Sequence, residues 1–207
     1  MAEGDTNEEI TEQAMTQVLG AATPELGQFR EQVQQAKQSA LGLVNGMSDQ
    51  GFQWRPGPGR WSIAECFEHL NVTLELYLPG MDGAIETARS RGWRGNGPLR
   101  PGWLGRWMIG TLEPPPKRRF RAPGAFRPQR VLPLSEAIPR FVQLREMLEQ
   151  RLWDAEGLDL GRAKIRSPAV PLVRFSLGET FAIVTAHDRR HLWQAGQVAR
   201  SPGFPGP

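Results

Sequence analysis

The chain has 207 residues, 39% hydrophobic and 23% charged, which is enough to bury one globular core and argues against a disordered or fibrous polymer. Its single cysteine, Cys66, excludes an intrachain disulfide and any cysteine-based zinc site. The formal charge of +3 hides an uneven distribution, because residues 89–130 carry eleven basic side chains against the single acid Glu113.

Residues 1–21 open with Glu3, Asp5, Glu8, Glu9 and Glu12 and contain neither a basic cluster nor an apolar run. This reads as an acidic, unordered tail rather than a secretory signal. No apolar stretch approaches the length of a membrane span, so the expected compartment is the cytoplasm. Residues 22–200 are expected to form one domain, and residues 201–207 a second unordered tail.

The first predicted helix begins at Thr23-Pro24, with threonine at the cap and proline at the first helical position. Leu26, Phe29, Val33, Ala36, Ala40 and Val44 supply its apolar stripe, and Gly46 its stop. The second begins at Ser62-Ile63-Ala64-Glu65, a capping box, and continues through Phe67, Leu70, Leu74 and Leu78. A long Gly/Pro-rich segment follows, from Gly92 to Pro133. Within it, Trp103, Leu104, Trp107, Met108 and Ile109 form an apolar cluster. The favoured reading is a short helix covering the end of the domain; a lid and a lipid-contacting element are the sharper alternatives. The third long helix is expected from near Ser135 to about Glu156, with Pro139 in its first turns. Residues 157–174 can hold a short extended piece. The last helix starts with a second capping box, Ser176 to Glu179, and carries Phe181, Val184, His191 and Val198. Four helices of this length predict an all-α protein, a four-helix bundle.

The chain holds three histidines. His187 and His191 are four residues apart and therefore share one helix face. If the helix bearing His69 packs on that face, the three imidazoles converge and leave part of a metal's coordination sphere open, as in catalytic rather than structural sites. Zinc, nickel and iron all accept such ligands. Three neutral imidazoles leave the full charge of a divalent ion, which acidifies a bound water or holds a thiol as thiolate.

Several neighbours are weighed with them. Glu65 is a weak candidate for a catalytic base, but its capping role is favoured. Arg190 is a weak candidate for orienting a substrate. Gln194, one turn beyond His191, and Cys66, three residues before His69, are candidate cavity residues, with Trp103 and Trp107 from the middle segment. A small buried thiol is the favoured role for Cys66. Asp188 points about 100° away from His187, toward solvent or an arginine partner.

The Trp61-Ser62 helix start, the His69-Leu70 pair, the stretch Ala122-Pro123 to Phe126-Arg127-Pro128, and the block His187-Asp188-Arg189-Arg190-His191 resemble the DinB/YfiT-like superfamily of bacterial helical bundles. The resemblance implies that His69, His187 and His191 bind a divalent metal. It also implies an up-down-down-up helix order, whose long crossover between helices two and three is the segment 92–133. Relatives include thiol S-transferases that use low-molecular-weight thiols, a mycothiol-dependent isomerase, and proteins provisionally described as metal-dependent hydrolases. The expected function is therefore a metal-dependent enzyme in which a thiol or water attacks a small electrophilic substrate, with homodimerisation left open. The competing reading is a non-catalytic, metal-stabilised module whose basic loop contacts nucleic acid, a lipid headgroup or a protein partner. Nucleic acid is disfavoured, since the basic stretch has no recognition-helix pattern.

Overall fold

The computed structural model describes residues 23–95, 97–116 and 122–206. The acidic tail expected over residues 1–21 lies outside the described residues, as do Lys117, Arg118, Arg119 and Arg121 of the middle segment.

The protein is predominantly helical. Helix α1 spans Pro24–Val44, α2 Asp49–Gln53, α3 Ile63–Ser90, α4 Trp103–Leu112, α5 Leu134–Asp154 and α6 Leu177–Ala199, with a 3₁₀ turn at Gly124–Phe126. Both capping boxes form. The Ser62 side chain accepts from the Glu65 amide while Glu65 accepts from the Ser62 amide, and Ser176 with Glu179 repeats the arrangement. The expected threonine cap of α1 is only half realised: Pro24 occupies the first turn, but the Thr23 hydroxyl is buried and caps no amide. Instead the Thr23 carbonyl accepts from Leu26, and its amide donates to Glu156. Gly46 follows α1 with φ +72°, the left-handed conformation that a stop glycine supplies.

The extended piece predicted after residue 157 is a two-stranded antiparallel hairpin, β1 (Lys164–Arg166) with β2 (Arg174–Ser176), in which Ile165 faces Phe175. Those two side chains are buried, and Lys164, Arg166 and Arg174 project outward, as the period of two requires. Gly80 on α3 lets the hairpin approach, since a Cβ there would lie 2.7 Å from a methyl of Ile165.

Helices α3 and α5 each present an apolar face to the interior, as do α1 and α6, and the contacts join α1 and α3 to both α5 and α6. One core cluster gathers Leu26, Phe29, Met81, Leu148, Leu152 and Phe181; the other gathers Phe52, Phe67, Leu70, Phe141 and Ala195. Ion pairs tie the seams: Arg140 to Glu68 and Glu75, Arg151 to Asp82, Arg89 to Asp154, and Arg30 to Glu156. Among the described residues no helix is long and apolar enough to cross a membrane.

The C-terminal segment departs from expectation. Residues 201–206 fold back rather than trail away, with the Phe204 ring edge-on to Trp54 at 5.6 Å. Gly51 on α2 leaves room for this return, its missing Cβ position lying 3.4 Å from the Phe204 ring. An aromatic residue in a Gly/Pro tail found an apolar partner that the tail's composition did not announce.

Candidate metal centre

The second turn of α3 carries His69, and the third and fourth turns of α6 carry His187 and His191. Both helices start on capping boxes that fix their first turns, so the histidine positions follow from well-defined helix origins. The packing of α3 on α6 then brings all three rings together. Their centroids are 4.5–4.8 Å apart, and one ring nitrogen from each lies within 4.8 Å of the others.

The His69 ring is oriented from outside. Its Nδ1 donates to the carbonyl of Phe126, 2.5 Å away, in the 3₁₀ turn that ends the middle segment. A carbonyl can only accept, so the proton sits on Nδ1 and the Nε2 lone pair is turned toward the cluster. That Nε2 lies 2.9 Å from Nε2 of His187. On α6, the buried Nδ1 of His191 has no hydrogen-bond partner among the described residues.

Burial makes all three rings neutral. It lowers His69 to about 4, aided by the Arg190 charge and resisted by the bond to Phe126. Burial likewise holds His187 and His191 well below the usual imidazole range, with the neighbouring rings and Arg190 adding to it. A neutral imidazole is the form that ligates. These residues fit a divalent metal: the donors are all imidazole, one donor is already oriented by a backbone carbonyl, and a buried ring nitrogen lacks a partner. Bonds of about 2.0–2.1 Å place two ligating atoms no more than about 4.2 Å apart. The donor atoms, within 4.8 Å of one another, would draw together to share an ion.

A buried ionic clamp sits behind the rings. Arg145 of α5 is 1% exposed and grips the Asp188 carboxylate with two nitrogens. It also donates to the Asn71 side chain and to the Leu70 carbonyl. A single guanidinium thus joins the residue after His187 to the two residues after His69. Asp188 takes the arginine partner that its direction on the helix permitted, and does so away from solvent. Trp61, partly exposed, stacks on His191 at 5.8 Å and tilts against His69 at 5.0 Å, forming a wall of the cluster.

Arg190 and Arg189 link the site to the middle segment. Arg190 donates to the Thr111 carbonyl, and its charge reaches all three histidines. Arg189 binds Glu113 with two nitrogens and reaches Gln32 of α1 with a third. Gln194 hydrogen-bonds His191 through its side chain. Glu65 is held by its own cap and by a two-pronged contact from Arg55. Cys66 is fully buried in the apolar cluster around Phe67, and burial pushes its thiol far up, so it remains protonated. Trp103 lines a separate cavity with Arg100, Lys164 and Arg174, and Trp107 projects to solvent. Trp61, Phe126 and Arg145 had no role in the sequence-based reading of the site. Trp61 and Phe126 stood only within the family-like motifs, and Arg145 carried only its charge amid an apolar helix stripe.

The sequence matches the family model of the DinB superfamily over residues 32–195. This span includes all three histidines and most of the described structure, and the chain belongs to that superfamily. Comparison with curated proteins and with solved structures gave no match.

Proposed function

We propose that this protein is a divalent-metal-dependent enzyme of the thiol S-transferase or hydrolase type, acting on a small electrophilic substrate. The observation that carries this reading is the convergence of His69, His187 and His191, neutral and within 4.8 Å, with His69 already turned by the Phe126 carbonyl. The ion-pair seams support an up-down-down-up bundle. Pairs 68/140, 82/151 and 89/154 make α3 and α5 co-directional, while 30/156 and 37/149 oppose α1 to α5. In this reading residues 92–133 serve as the crossover and residues 22–200 as the domain.

When bound, a divalent metal would supply a Lewis acid that lowers the pKa of a thiol or water. His69, His187 and His191 would hold it. Phe126 keeps the His69 proton on Nδ1, away from the ion. Arg190 adds positive charge beside the cluster, and among the described residues no carboxylate joins the three rings. The site therefore favours a ligand that arrives as, or becomes, an anion. Arg190, its guanidinium steadied by the Thr111 carbonyl, would orient that anion, and the Trp61 ring would exclude water from one side.

Metal analysis of the purified full chain, followed by titration with zinc, nickel and iron salts, tests the first half of this reading. One equivalent bound tightly is expected, and failure to bind any of the three would end it. Thiol-transfer and hydrolysis assays with the metal-loaded protein test the second half; Arg190→Ala should raise KM for an anionic substrate more than it lowers kcat.

A further inference from the structure

The face of the molecule formed by α4 and the β1–β2 hairpin has no task in the histidine chemistry. It exposes large apolar side chains to an extent no other described region matches. Trp103 is 75% exposed and Trp107 52%, one helical turn apart on the outward face of α4. In the loop between the strands, Leu172 is 96% exposed and Val170 48%. The two elements meet: Trp103, Leu104 and Arg100 line a cavity of about 340 Å³ together with Lys164, Arg174 and Phe175 of the hairpin. Leu172 lies two residues before Arg174 in the chain.

The rim of this face is cationic. Arg100, Arg106, Lys164, Arg166 and Arg174 are all exposed, and none forms a salt bridge among the described residues. The one carboxylate at the cavity, Glu179, is turned inward to the amides of Ser176 and Gly102. Exposed tryptophan and leucine beside exposed Lys and Arg is the composition of elements that lie in the headgroup layer of a membrane. A second copy of this chain is a poorer fit, because an isologous contact would set five cations against five.

We propose that α4 and the β1–β2 hairpin form a peripheral docking surface for anionic lipid bilayers. Trp103, Trp107 and Leu172 enter the interfacial layer, and Arg100, Arg106, Lys164, Arg166 and Arg174 face the lipid phosphates. Because α4 packs along α6 and hands over to Thr111 and Glu113, which bind Arg190 and Arg189, docking places the histidine cluster close to the bilayer.

The test is co-sedimentation of the full chain with vesicles of phosphatidylcholine alone, or of phosphatidylcholine mixed with phosphatidylglycerol. Binding to the mixed vesicles at low salt is expected, with a blue-shifted tryptophan emission, little binding to the neutral ones, and release as salt rises. The double variant Trp103→Ser/Trp107→Ser should weaken partition by more than about tenfold and remove the emission shift. Lys164→Glu/Arg174→Glu should weaken partition by more than about tenfold while keeping both tryptophans. Circular dichroism of each variant should match that of the parent. The proposal is overturned if the parent chain ignores anionic vesicles at low salt, or if folded variants bind them as well as the parent does. It is also overturned if sedimentation velocity shows a dimer that the tryptophan variant dissolves, since the face then serves a second copy.

Discussion

The two helices that meet at the histidine cluster prepare it differently. On α3, His69 is held in one orientation by a carbonyl from a distant turn, and its Nδ1 proton is fixed before any metal arrives. On α6, the pair is placed by backbone periodicity; of the two rings Gln194 and Trp61 touch only His191, and its buried Nδ1 has no partner among the described residues. Between them, Arg145 fastens the two helices through the Leu70 carbonyl and the Asn71 and Asp188 side chains without touching an imidazole. The arrangement separates two needs. Helix register is fixed by a buried ion pair, whereas a backbone carbonyl fixes a ring on one side only, which leaves the His191 Nδ1 side more room to adjust to the ion.

Substitutions can break this contrast at several levels. The largest effect on metal binding is expected from His187→Ala or His191→Ala, which should abolish tight binding while leaving the far-ultraviolet circular dichroism nearly unchanged. The apolar stripes, not the ion, supply the burial that holds the helices. An unfolded apo variant would instead show the ion to be structural.

The largest effect on stability is expected from Arg145→Met. It strands the Asp188 carboxylate in a buried site and should cost about 3–5 kcal/mol in urea unfolding. Adding Asp188→Leu should recover much of that loss. A single variant as stable as the parent would show that the clamp does not hold the two helices in register.

A smaller and more selective effect is expected from Phe126→Ala. It loosens the turn that presents the carbonyl to His69, so metal affinity should fall by roughly 10–100-fold, as for other outer partners of a ligand. The same substitution should leave the α6 pair in place. Equal affinity in isothermal titration would mean that His69 needs no external orientation.

The smallest effects distinguish the two capping boxes. Ser62→Ala and Ser176→Ala should each cost about 1 kcal/mol. Glu179 differs from Glu65 by also accepting from Gly102 of the middle segment. Burial pushes the Glu179 carboxyl up, but the bonds from Ser176 and Gly102 and the Lys164 charge outweigh it and hold the group below its ordinary value. Its contribution is therefore present above the ordinary carboxylate range and fades as pH falls through the lowered folded value. Glu179→Gln should flatten the acid limb of the stability curve; an unchanged limb would remove Glu179 from the account.

Much of this was legible in the chain itself. The serine–glutamate pairs announced the starts of α3 and α6 because a capping box is a local hydrogen-bond pattern with a fixed spacing. The apolar stripes announced which faces are buried, and the four-residue step put His187 and His191 on one face. Clustering was a poorer guide than periodicity at Trp103 and Trp107. An apolar cluster in a loop predicts covering contacts, yet both rings face outward while Gly105 sits against Glu179. Periodicity left the C-terminal segment unread, since one phenylalanine has no period from which to infer a partner.

Sequence alone determined the four long helices, the capped origins of α3 and α6 and the candidacy of three histidines, because each rests on interactions spanning a few residues. Only tertiary packing could decide that the carbonyl of Phe126 would meet a ring 57 residues away. The same holds for Arg145 joining α3 to α6, and for the exposed rings of α4 lying beside the cations of a hairpin. Those partners are distant in sequence and leave no periodic trace, so they are fixed only when the helices pack.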